Sequence, residues 1–142
     1  MVRSMRTRLD AYLAGDFTIP ANDRFGFEVR PEDDPKQGVS VSWTVPPELC
    51  NSAGNLQGGI LGAFADSAMG AACAAHLPED MYPALVEMKI SFLRPTRSGS
   101  TIHARARVIK PGKRLLFVEA EITDDSGELL AKVTGTEVPA KP

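Results

Sequence analysis

Cysteine, histidine and aromatic residues are scarce in this chain of 142 residues, and each scarcity excludes something. Its two cysteines, Cys50 and Cys73, have neither a redox nor a metal-binding spacing, and two histidines do not extend them to a zinc ligand set. Neither a metal nor a cofactor is therefore expected, and so few thiols fit a reduced, cytoplasmic setting. Aromatics make up only 6% of the chain and no nucleic-acid motif is present, so nucleic acid is not an expected partner. Arg3, Arg6 and Arg8 are followed by no apolar run, so no signal peptide is expected. Repeats and low-complexity segments are absent too. What remains, 43% hydrophobic and 24% charged, suits one domain over 1–142 with a core of its own.

One long apolar stretch stands out. From Gly58 to Leu77 only Asp66, Ser67 and His76 interrupt small and apolar residues. Its glycines, alanines and central Asp make it a poor membrane span and a better buried helix, so no membrane association is expected. The helix is apolar on more than one side, so a second surface besides a sheet should cover it.

Around it the chain reads as strands. A short amphipathic helix is expected over 3–14, with Met5, Leu9, Tyr12 and Leu13 on one face, ended by Gly15 and Pro20. Alternation predicts a short strand at 25–30 and a half-buried one at 39–45. Residues 1–35 thus form a helix and lead-in, and 39–137 the core. Pro78 and Pro83 bracket a connection after the long helix. Four alternating runs follow, around 86–92, 102–108, 116–122 and 129–133. P-G-K at 111–113 and D-D-S-G at 124–127 suit tight antiparallel hairpins. A curled antiparallel sheet around the helix, an α+β fold, buries both apolar surfaces at once.

Gly58, Gly62, Asp66, Gly70 and Ala74 recur every four residues and so share one ridge. Tight packing on the sheet explains glycines there, but not a carboxylate. The first helical N–H groups, at Gly58 and Gly59, lack internal partners and suit a developing oxyanion. Asp66 suits a general base or a nucleophile, or else a structural Asp satisfied by its neighbours. Eight residues of helix separate Gly58 from Asp66 by about 12 Å, too far for shared chemistry in one chain. Two helices antiparallel across a twofold axis would bring them together, so a homodimer with two cross-chain sites is expected. Asn51 either orients water or substrate or caps a turn, and Gln57 either contacts the site or starts the helix.

Asn51-x-x-Gly54-x-Leu56-Gln57-Gly58-Gly59-x(6)-Asp66, with Phe92-Leu93-Arg94-Pro95 downstream, resembles the hotdog-fold acyl-CoA thioesterases of the phenylacetate-degradation type. The resemblance implies metal-free hydrolysis of acyl-CoA thioesters, dimers, and tetramers built as dimers of dimers. It implies that Asp66 is the catalytic carboxylate, that the Gly58 N–H polarises the thioester carbonyl, and that Asn51 places water or substrate. Gln57 replaces a His found in many members, and Leu85 a Ser or Thr found in some. These departures keep alive a non-hydrolytic acyl-CoA binding protein; a hotdog dehydratase would want a His that the motif lacks.

Charge is segregated despite a net value of −2. Met88 to Val118 contains eight basic residues and no acidic one. Pairing across the 111–113 turn puts Arg105 near Glu119 and His103 near Glu121. Arg94, Arg97, Lys110, Lys113 and Arg114 remain for the phosphates of coenzyme A, or simply for solubility. Gln57, Gly59, Leu85, Arg94, Lys113 and Arg114 are thus the expected substrate contacts. His76 and His103 read as surface residues. Cys50 and Ser67 lack the partners that would activate a nucleophile.

Overall fold

Alternating apolar residues force one face of each strand inward, and in the computed structural model these faces close around a single helix. Residues 5–142 are described. The elements run α1 (Arg8–Leu13), α2 (Pro20–Phe25), β1 (Glu28–Pro31), β2 (Val39–Thr44), α3 (Gly58–Ala74), β3 (Tyr82–Phe92), β4 (Thr101–Pro111), β5 (Leu116–Asp124) and β6 (Leu129–Ala140). All strand pairs are antiparallel, in the order β1-β2-β4-β5-β6-β3. This is the hotdog arrangement, an α+β fold with α3 as its axis. Val39, Val41, Ile102, Ala104, Val118, Ala120 and Ile122 line the sheet's inner face and are fully buried, as are Phe64, Ala65, Ala68 and Met69 of α3. No helix among the described residues is long and apolar enough to cross a membrane.

The N-terminal region departs from expectation. Residues 3 and 4 lie outside the described residues, and α1 begins only at Arg8. Thr7 caps it reciprocally, accepting from the Asp10 N–H at 3.1 Å while Asp10 accepts from the Thr7 N–H at 2.9 Å. That cap fixes the start, and Met5 is left outside the helix and exposed. Residues 20–25 form a second helix, so Phe25 belongs to α2 and not to the expected strand. Pro20 at its first turn and Gly26 at its end, with φ of 83°, are the start and stop signals that mark it. Pro83 falls inside β3, where an edge strand tolerates its missing N–H.

The β4–β5 register also differs by two residues. Arg105 faces Glu121 and His103 faces Thr123, while Arg107 faces Glu119 and bonds it at 2.6 Å. A bulge between Val108 and Lys110 and a longer turn over 112–115 account for the slip. Arg105 bonds Glu32 at 2.6 Å instead, and His103 Nε2 lies 2.7 Å from Asp125.

One core residue is out of character. Glu137, on the inner face of β6 opposite Leu85, is 1% exposed, and its Oε2 has no partner. Burial pushes its carboxyl from 4.5 up to about 7; the Cys73 thiol hydrogen bond opposes this, and the charge of Asp66 adds to it. Folding therefore favours the protonated acid. That stability is intact below pH 4.5 and is lost as pH rises through about 7. Glu137→Gln should flatten this dependence and make the variant more stable than the wild type at pH 8, by roughly 1–3 kcal/mol. Denaturant titrations at pH 5 and pH 8 measure it, and parallel curves for the two proteins would refute the assignment.

Candidate active site

The loop before α3 is set by Gly54, whose φ of 77° makes the turn, and by Asn51. Asn51 Oδ1 accepts the N–H groups of Ala53 (3.0 Å) and Asn55 (3.2 Å), so it organises the loop. Its side-chain NH2 remains available. Gln57 is the N-cap residue of α3, but its side chain makes no capping bond. The first turn closes through the N–H groups of Ile60 and Leu61 onto the Gln57 carbonyl, at 2.9 and 3.1 Å. The N–H groups of Gly58 and Gly59 come before that turn and are not used by it.

Gly58, Gly59, Gly62, Ala63 and Asp66 then line a groove between α3 and the edge strand β3, whose Met88, Ile90 and Phe92 form the other wall. A Cβ at Gly58 would come within 3.2 Å of the Phe92 ring, so close approach explains that glycine. At Gly62 the nearest atoms, of Ile90 and Met88, lie at an ordinary 3.5 Å. Asp66 makes no hydrogen bond or ion pair among the described residues. The residue is exposed in the single chain, yet partial desolvation pushes its carboxyl above the ordinary carboxylate range.

Asn51 and Arg94 gather in an adjoining hollow that shares Phe92 with the groove. Arg94 is already paired with Glu128 at 2.7 Å. Leu85 is 36% exposed on the edge strand, at the start of a bulge, and lines neither hollow. Lys113 and Arg114 project from the β4–β5 turn, also outside both. His76 is half-buried rather than a fully exposed surface residue: its Nε2 is buried with no partner among the described residues, and burial first, then Lys36, lowers its pKa.

Asp66 also borders a second space that the sequence did not announce. An apolar cavity of about 370 Å³ lies on its other side, between α3 and the N-terminal segment. Tyr12, Phe17, Phe25 and Phe27, four of the chain's nine aromatic residues, line it from that segment. Their clustering before residue 28 was the available signal.

The thioesterase superfamily pattern matches residues 53–131, so the chain belongs to that family of thioester hydrolases. Mouse acyl-coenzyme A thioesterase 13 is 27% identical to it over 131 residues, covering 91% of this chain and 92% of the mouse protein. The phenylacetic acid degradation-related protein of Ralstonia eutropha JMP134 superposes with a TM-score of 0.84 at 27% identity, over 92% of this chain and 98% of that one. The E. coli PaaI protein, at 24% identity, shares the fold with a TM-score of 0.81, over 92% and 91% of the two chains.

Because desolvation raises its pKa, ionised Asp66 disfavours the folded state, and the penalty grows as pH rises through its titration. Asp66→Asn should therefore raise the melting temperature at pH 7 and leave it little changed near pH 3. Equal melting temperatures at pH 7 would show that the carboxylate carries no such strain.

Proposed function

We propose that this protein hydrolyses acyl-CoA thioesters, with Asp66 as the reacting carboxylate and the N–H of Gly58 from a partner subunit as the oxyanion donor. The carrying observation is Asp66 itself: a carboxylate without a partner among the described residues, raised in pKa, in a groove that begins at the first helical N–H groups. An acyl-coenzyme A thioesterase among the relatives supports the substrate class.

As a base, Asp66 takes a proton from water while the water oxygen attacks the thioester carbonyl. The oxyanion collapses, the C–S bond breaks, and coenzyme A leaves as a thiolate that regains a proton. As a nucleophile, Asp66 attacks the carbonyl carbon, the C–S bond breaks and coenzyme A leaves as a thiolate; water then opens the resulting mixed anhydride to the free acid and the Asp66 carboxylate. Asn51, through its free amide NH2, and Gln57 are placed near the helix start to orient water or the carbonyl. Gly59 adds a second N–H. Arg94, Lys113 and Arg114 attract the coenzyme A phosphates, Arg94 by exchanging Glu128 for phosphate. Leu85 makes an apolar contact at the edge strand.

About 12 Å of helix separates Gly58 from Asp66, so a second subunit must supply the other half. The β3 edge supports a homodimer. It is an edge strand of 11 residues, paired with β6 on one side only, and Val86, Phe92 and the following Leu93 are more than half exposed, a surface that isolated chains seldom leave open. Dimers of dimers and a cytoplasmic location remain part of this reading. A dehydratase is disfavoured because no imidazole adjoins Asp66. His76 lies ten residues along, about 15 Å by helical rise, and His103 is engaged with Asp125.

Thiol release from a panel of acyl-CoAs tests the reaction. Asp66→Asn should lower kcat/KM by at least 100-fold, on the scale of a lost general base. In the wild type, kcat/KM should fall with acidification at a pH above the ordinary Asp range, because the base must be ionised and its pKa is raised. Equal rates in wild type and variant would sink the role of Asp66. Binding without thiol release would favour a non-hydrolytic acyl-CoA binder. A monomer that still turns over, seen by light scattering, would refute the cross-chain site.

A further inference from the structure

We propose that the N-terminal segment selects the acyl group: the cavity between it and α3 takes a medium-length acyl chain (hexanoyl to decanoyl) or an aryl-bearing one. This rests on Asp66 being the reacting carboxylate, since Asp66 stands at the boundary between the groove and this cavity.

Three observations converge. First, the cavity is a built space with little free polarity. Its wall comes from Tyr12, Phe17, Ile19 and Phe25, and its floor from Gly70, Ala71 and Ala74 of α3. The Ser67 hydroxyl donates to Asn22 Oδ1 at 2.9 Å, so these two satisfy each other. Arg8 stacks over Phe17 at 3.8 Å and donates to the Glu79 carbonyl at 3.0 Å. Carbon therefore dominates the lining, and Asp66 is the carboxylate on it.

Second, Gly70 has no packing reason to be glycine. A Cβ there would meet nothing within 4 Å, and its φ is not in the left-handed region. Glycine inside a helix is nevertheless unfavourable compared with alanine. The missing side chain keeps the floor open, which serves a guest better than it serves the fold.

Third, the dimensions discriminate among guests. The floor from Asp66 to Ala74 extends about 12 Å along α3. A volume of about 370 Å³ is at the small end of ligand sites. Acetyl leaves most of it unfilled, and fatty chains of membrane-lipid length overrun it. The wall is also firmly mounted: Trp43 Nε1 donates to the Phe25 carbonyl at 2.8 Å, and Phe27 packs edge-on against Trp43 and Phe64. Residues 8–29 precede the 53–131 region that the family pattern covers, so the selecting wall belongs to a part of the chain which that pattern leaves free.

The test is thiol release by wild type, Gly70→Leu and Ile19→Ala from acetyl-, hexanoyl-, decanoyl- and phenylacetyl-CoA. Melting temperature and light scattering are recorded for each protein. Wild type should favour the three larger thioesters. Gly70→Leu, which fills the floor, should lower the decanoyl-to-acetyl ratio of kcat/KM at least tenfold, mainly through KM. Ile19→Ala, which opens the wall, should move the optimum toward longer chains; it decides alone if Gly70→Leu fails to fold. Ratios within twofold of wild type in the folded variants would overturn the pocket assignment while leaving the hydrolase reading intact. Loss of dimer in Gly70→Leu, with an unaltered ratio in Ile19→Ala, would assign this face to subunit packing and also overturn it. No thiol release from any thioester by the wild type would sink the hydrolase reading, and this inference with it.

Discussion

Burial of α3 against the concave face of the sheet is the interaction on which the rest of this structure depends. Phe64, Ala65, Ala68 and Met69 are fully buried against Val41, Ile102, Val118 and Ile122, and no other long helix among the described residues offers the sheet such a surface. At about 25 cal/mol per Å² of apolar area removed from water, burial of these side chains is a favourable contribution to folding. Small residues let it close tightly. Met69 reaches Gly135 of β6, where a Cβ would lie 3.2 Å from its terminal methyl.

Fixing α3 by one face leaves the opposite face clear of the sheet's concave side. Its outer ridge presents glycines, alanines and Asp66 to two spaces, the groove beside β3 and the cavity under the N-terminal segment. The Asp66 carboxylate has no partner there among the described residues, and although the residue is exposed in the single chain, partial desolvation raises its affinity for a proton. Glu137 shows the contrast. It too is a carboxyl raised in pKa, but it faces the core beside Cys73 and lines none of the hollows around Asp66.

Elements whose reasons are local were readable in advance. Alternation located β2, β4, β5 and β6, and four-residue spacing located the α3 ridge. The Asn51-to-Asp66 motif pointed to the groove. The errors came where local signals compete. Phe25, Phe27 and Val29 alternate like a strand, yet Pro20 and Gly26 mark a helix that takes Phe25. The longer turn at 112–115 moved Arg105 from Glu119 to Glu121, with the bulge at 108–110 taking back one residue of the shift, because neither a turn's exact length nor a bulge is visible to a period-two pattern. His76 looked exposed because a helix end usually is, whereas here it is packed under the segment that contains Lys36.

By itself, then, the sequence determined the hotdog architecture, the family and the identity of the unusual carboxylate. Periodicity and motif spacing are properties of neighbouring residues, and burial must follow them. Only the tertiary structure decided what Asp66 faces. The cavity beside it joins residues 8–29 to α3 and β3 through contacts between segments distant along the chain. Such proximity comes from how the layers pack, and no pattern within either segment encodes it.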